Sequence, residues 1–147
     1  MPVTPDLGQP RTILAFDFGL RRIGVAVGQD ITSSASPLGV VANRSTGVDH
    51  DAIAALIKEW RPTNIVVGMP AHADGSPSDM QETVRAFILE LQRYKLNIDT
   101  VDERYSSIEA KQVLQQARAA GTRGRISKAM IDSAAAVFIA ERYLSSG

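Results

Sequence analysis

Three carboxylates stand in segments that are otherwise apolar. Asp17 ends the run Thr12-Ile-Leu-Ala-Phe-Asp17, Glu103 closes Ile98-Asp-Thr-Val-Asp-Glu103, and Asp132 lies inside Lys128-Ala-Met-Ile-Asp132-Ser-Ala-Ala-Ala. An ionised group in such surroundings is costly unless it is paired or bound to a metal. Brought to one point, the three would hold divalent cations through oxygen ligands.

Composition narrows the alternatives. The chain has no cysteine, which removes disulfides, thiolate zinc sites and cysteine nucleophiles, and its two histidines cannot build a histidine-rich metal site. Sixteen basic and sixteen acidic residues cancel, so contact with a polyanion must come from a local basic patch rather than a global field. At 147 residues the chain fits one compact domain, taken as residues 11–147 after a flexible leader over residues 1–10. No apolar stretch is long enough to span a bilayer, and the first ten residues lack a signal-peptide core, so the expected location is cytoplasmic.

Several elements must position the carboxylates. Arg11 to Phe18 and Arg22 to Gly28 are β-branched, apolar runs separated by Gly19-Leu20-Arg21, which predicts an antiparallel hairpin. A short third strand near Leu38 to Ala42 would follow a polar, serine-bearing turn over Asp30 to Ser36. Ile53, Leu56, Ile57 and Trp60 recur at helical spacing from Asp49 until Pro62 stops them. Asn64 to Gly68 has the continuous apolar character of a buried parallel strand, followed by a polar loop from Met69 to Pro77. A capping box at Ser78-Asp-Met-Gln81 opens a second helix, which leads to a strand over Leu96 to Val101. Ser106-Ser-Ile-Glu109 opens a third helix that stops at Gly121, and a last helix runs from about Ser127 to Leu144. The order describes a three-stranded antiparallel meander followed by two helix-connected parallel strands and two closing helices.

Strand alternation puts Asp17 on the face of Ile13 and Ala15, with Leu14, Phe16 and Phe18 on the other, and sets Asp102 and Glu103 on opposite faces. Gly19 and Gly24 leave room for a phosphate, and Arg21 and Arg22 supply cations. The plainer alternative makes Asp17 a turn residue and the arginines a solvated hairpin tip. Arg104 could pair with an acidic neighbour, with Ser106 only a helix cap. His72, in the loop Gly68-Met-Pro-Ala-His72, is either a phosphate contact or general base, or simply solvated. Arg118, Arg123, Arg125 and Lys128 form the best local phosphate-binding patch, or a solvated linker. Aspartate is a weak helix former, and Asp132 stands beside Ala134, Ala135 and Ala136, whose small side chains permit close packing on a sheet; its alternative is a surface position. The Asp-Phe-Gly tripeptide also occurs in protein kinases, but this chain has no glycine-rich loop or catalytic-loop signature to accompany it.

Taken together, Asp17-Phe-Gly-Leu-Arg-Arg22-Ile-Gly-Val-Ala-Val27, Gly68-Met-Pro-Ala-His-Ala-Asp74-Gly75, Asp102-Glu-Arg-Tyr-Ser-Ser107 and Ile131-Asp-Ser-Ala-Ala-Ala136 resemble the YqgF family of Holliday-junction resolvases and pre-16S ribosomal RNA nucleases. The resemblance runs from about Arg11 to Leu144 and implies a ribonuclease H-like α/β fold, with a five-stranded mixed sheet flanked by helices. It implies that Asp17, Glu103 and Asp132 are the catalytic and metal-holding triad, with magnesium or manganese as cofactor. It also implies that Arg21, Arg22, His72, Arg104, Arg123, Arg125 and Lys128 hold nucleic acid, as a monomer or homodimer without a membrane partner. The expected activity is phosphodiester hydrolysis at the 5' end of pre-16S ribosomal RNA, with four-way DNA junctions as the alternative substrate. One departure concerns Ala71 and His72, where family members often carry an apolar residue and asparagine. Two rivals come from other classes. An ATP-binding protein of the actin type would need two such domains, and a catalytically silent nucleic-acid-binding module would not need all three acidic positions.

Overall fold

The computed structural model describes residues 11–32, 34–70, 80–102 and 128–146, with side chains described only over 133–145 in the last of these. The leader, the loop over 71–79 and the helix expected after Ser106 therefore lie outside the described residues. Strands β1 (Thr12–Asp17), β2 (Arg22–Gln29), β3 (Ser34–Arg44), β4 (Gly47–Val48), β5 (Asn64–Met69) and β6 (Asn97–Asp102) form one sheet in the order β4-β3-β2-β1-β5-β6. The pairs β1–β2, β2–β3 and β3–β4 are antiparallel, whereas β1–β5 and β5–β6 are parallel. This is the expected meander followed by two parallel strands, with a sixth two-residue strand where β3 turns back through Gly47, at φ +128°.

The third strand is longer than its sequence suggested. It spans Ser34–Arg44 and pairs with β2 along its length, with an irregularity where Val25 faces Gly39 and Ala26 faces Pro37. Leu38 is the extra residue of a bulge, a device that bends a strand and interrupts its ladder. The serines that read as a turn are drawn into the sheet because β2 offers them a complete ladder; strand propensity yields to such context.

The sheet has two unlike faces. Leu14, Phe16, Ile23, Val25, Val27, Ile65 and Val67 pack with Ile53 of α1 (His50–Trp60) and Val84, Phe87 and Leu91 of α2 (Gln81–Leu91). Phe16 meets Phe87 edge-on at 5.8 Å between ring centres, and Phe18 meets the same ring at 5.0 Å. Each large side chain so buried contributes about 1.5–3 kcal/mol. Asp49 caps α1 by accepting the amide of Ala52, and Arg61, in the left-handed region at φ 48°, ends it before Pro62. Ser78, which opens the expected capping box before α2, lies outside the described residues. Met80 occupies the cap position with no side-chain bond, and the Gln81 side-chain amide donates to the carbonyl of Pro70 at 2.8 Å.

The opposite face is made of small residues. Gly24, Ala26 and Gly28 alternate along β2 with the bulky Ile23, Val25 and Val27, and α3 (Lys128–Ser146) presents Ser133, Ala135, Ala136, Ile139 and Ala140 as its buried stripe. At Gly28 an added Cβ would lie 3.1 Å from Ile13, 3.2 Å from Leu144 and 3.4 Å from Ala140, so there the helix rests almost against the strand backbone. Ile13, Ala15, Val66, Ile139 and Ala140 form the core of this layer. No described helix is long and apolar enough to cross a membrane.

Candidate active site at the strand ends

Asp17 is the last residue of β1, half-buried, and sits opposite Gly24. Its alternation partners Ile13 and Ala15 belong to the layer under α3, so its carboxylate is on the α3 face, as the sequence predicts. The parallel strands β1, β5 and β6 end on the same side of the sheet, with Met69 opposite Asp102. In open α/β sheets this carboxyl edge is where ligands bind.

The hairpin tip after Asp17 is fixed in three ways. Gly19 has no room for a side chain, since a Cβ there would stand 2.4 Å from the carbonyl oxygen of Arg22. The Asn43 side chain donates to the Gly19 carbonyl at 2.8 Å, and the Asn43 amide donates to the Arg21 carbonyl at 3.0 Å. Arg21 is exposed and Arg22 half-buried at the start of β2. Sequence reasoning missed Asn43 because the expected third strand ended at Ala42, whereas β3 runs on to Arg44.

The end of α3 nearer the site is anchored to the meander. Ser133 donates to the carbonyl of Gly39 at 2.8 Å, and the neighbouring Val40 pairs with Gly24, which pairs with Asp17. The α3 turn that includes Asp132 therefore lies over the end of the sheet where Asp17 stands. The other end of α3 is tied to β6. The Tyr143 hydroxyl donates to the Asp99 carboxylate at 2.7 Å, the Asn64 amide shares that oxygen at 3.2 Å, and Arg142 donates to the carbonyl of Asp102. The bond to Asp99, followed by burial, raises the Tyr143 hydroxyl above the ordinary tyrosine value of 10.0.

Asp102 is exposed, while Val101 belongs to the α3 layer. Glu103, Arg104, His72, Arg118, Arg123 and Arg125 lie outside the described residues, as do the side chains of Asp132 and Lys128. Among the described residues no three acidic or histidine side chains come together around a point suited to a metal. A second polar cluster occupies the opposite layer, where the two ring nitrogens of His50 meet the Tyr94 hydroxyl and the Glu90 carboxylate, each at 2.7 Å. It ties the start of α1 to the end of α2.

Comparison with known proteins agrees with this architecture. The structure of Thermus thermophilus RuvC in complex with a Holliday junction substrate superposes with a TM-score of 0.57, covering 92% of this chain and 94% of that one at 11% identity. The fowlpox virus resolvase gives 0.54, with 92% and 97% covered at 12% identity. The fold is thus that of the RuvC-type, ribonuclease H-like nucleases. A family profile described as "RuvX: Holliday junction resolvase" matches residues 11–146, and the chain belongs to that family of hydrolytic nucleases. Curated relatives include a protein of Paraburkholderia xenovorans, 45% identical over 138 residues, covering 93% of this chain and 90% of the relative. Another, from Burkholderia lata, is 45% identical over 134 residues, with 90% and 88% covered. Both carry the name "Putative pre-16S rRNA nuclease".

Proposed function

We propose that the chain hydrolyses phosphodiester bonds at a divalent-metal site formed by Asp17, Glu103 and Asp132, with the 5' end of pre-16S ribosomal RNA as its substrate. The observation that carries the reading is the placement of Asp17 on the face covered by α3, beneath the helix that contains Asp132. One further step of strand alternation beyond Asp102 would bring Glu103 to that same face. The names of the curated relatives support the RNA substrate. The family description and the junction-bound relatives support a four-way DNA junction as the second reading.

The donor chemistry fits a hard cation. Asp17 offers carboxylate oxygen from a half-buried strand end, in a chain without a single thiol. When bound, magnesium or manganese lowers the pKa of a water and offsets charge on the leaving oxygen. The three carboxylates hold and orient that centre. Arg21 and Arg22, on a hairpin tip fixed by Asn43, hold backbone phosphates on one side. Arg104, Arg123, Arg125, Lys128 and His72 extend the contact, which positions the strand without reading its sequence. The same reading takes residues 11–147 as one domain, acting in the cytoplasm as a monomer or, on a symmetric junction, as a homodimer.

The test is cleavage of labelled pre-16S precursor and of a four-way DNA junction, with magnesium or manganese, by wild type and Asp17→Asn. Precursor cleavage by wild type and a loss of at least about 100-fold in the variant is expected, since even residues that merely support metal ligands cost 10–100-fold. Full activity of Asp17→Asn would reject the site. Cleavage of the junction alone would select the second substrate.

A further inference from the structure

Ser133 is the one buried polar or charged side chain among the described residues, at 3% exposure in a stripe of alanines and isoleucine. A serine inside a helix usually faces solvent or bonds back to its own helix. This one donates instead to the main-chain carbonyl of Gly39, 94 residues away in sequence, at 2.8 Å. The acceptor is equally specific. Gly39 follows the extra residue of the β3 bulge and has φ +119°, a conformation that side-chain-bearing residues rarely adopt. A bulge interrupts the ladder and re-aims the backbone locally, which suits its carbonyl to a partner outside the sheet.

The register shows what this contact fixes. Val40, next to Gly39, opens the row Val40, Gly24, Asp17 across β3, β2 and β1. At a strand spacing of about 4.8 Å, that row brings Asp17 within roughly 10 Å of the anchor. Gly24 in the middle of the row has no side chain to hold the helix away. Tyr143 and Arg142 hold the far end of α3 to β6, so losing the anchor would loosen chiefly the end of the helix that carries Asp132. We propose that Ser133 is a positioning residue for the carboxylate set: by holding the Gly39 carbonyl at the bulge, it fixes the α3 turn that carries Asp132 over the end of β1. This rests on the site reading above and adds to it the residue that sets the spacing between two of its carboxylates.

The full chain is compared as wild type, Ser133→Ala and Asp132→Asn, by manganese titration of cleavage and by melting with and without manganese. Ser133→Ala should remain folded and reach a near-normal rate at saturating manganese, with its activation midpoint raised roughly tenfold, the lower end of the range for residues that support metal ligands. A residue that only stabilises the fold would lower the melting temperature and leave that midpoint in place. A midpoint shifted by less than about twofold, with Asp132→Asn inactive, would overturn the positioning role and leave the site intact. Wild-type cleavage by Asp132→Asn would overturn the site itself. Should Ser133→Ala not fold, Ser133→Cys, which keeps a γ-atom and a weak donor there, is judged by the same two outcomes.

Discussion

The side chain of Asn43 on β3 holds the carbonyl of Gly19 at 2.8 Å, so the third strand of the meander grips the turn that follows Asp17. Asn43→Ala should cost about 1 kcal/mol, the net value of a partly buried hydrogen bond. Its larger effect should be on substrate. With the Gly19 turn before Arg21 and Arg22 held less firmly, though the Asn43 main-chain bond to Arg21 remains, KM should rise several-fold and kcat change little. A lowered kcat with KM unchanged would mean that the turn does not hold phosphates.

Gly19 itself admits no side chain. A Cβ at 2.4 Å from the Arg22 carbonyl meets backbone, which cannot rotate aside as a side chain would. Gly19→Ala should destabilise the fold by about 1–3 kcal/mol, as overpacking does, and should reduce cleavage by displacing the end of β1. Thermal melting beside a cleavage assay checks this, and an unchanged melting temperature would show that the hairpin adjusts without strain.

The seam between β2 and α3 gives a graded version of the same experiment. Gly28→Val would force a branched side chain between Ile13, Ala140 and Leu144, already 3.1–3.4 Å from a single Cβ. A loss of about 1–3 kcal/mol is expected. Because the helix must lift to relieve the contact, more manganese should be needed for half-maximal cleavage even though Gly28 is far along β2 from Asp17. Destabilisation without a change in metal requirement would show that the helix pivots locally.

Tyr143 links stability to alkaline pH. Its hydroxyl is raised above 10.0 because the bond to Asp99 requires the proton. A group whose value is raised on folding contributes fully below its unfolded value and loses that contribution as pH climbs towards the folded one. Wild type should therefore lose stability as pH passes 10.0. Tyr143→Phe should be less stable at neutral pH and decline less steeply in that range. Tyr94, raised chiefly by burial, will keep some of the decline in both proteins. Parallel melting curves against pH would refute the assignment.

Much of the framework was legible because it follows from period and punctuation. The helical spacing of Ile53, Leu56, Ile57 and Trp60, ended by Pro62, marks α1, and the alternation through Asp17 puts it on the observed face. The start of β3 was not legible, since Ser34, Ser36 and Pro37 carry no strand signal of their own. Their pairing with Gln29, Val27 and Ala26 respectively is imposed by β2, and proline is tolerated because that stretch of β3 is paired on one side. Asn43, Ser133 and Tyr143 were missed as positioning groups for a related reason. Each acts on a partner distant in sequence, and only the folded sheet brings Gly19, Gly39 and Asp99 to them. The metal-holding role of Glu103 and Asp132 rested on motif resemblance and remains the proposal tested above.

The layer under α3 also sets an order of events during synthesis. Every described strand precedes that helix in the chain, so a growing polypeptide that has emerged through β6 displays Ile13, Ala15 and Val66 with nothing of α3 to cover them. At about 5–20 residues per second, α3 is completed only a few seconds later. Until then the Asp17 end of the sheet lacks Asp132. On the site proposed above, a nascent chain beside the ribosome would lack one of its three carboxylates until its last described helix has docked.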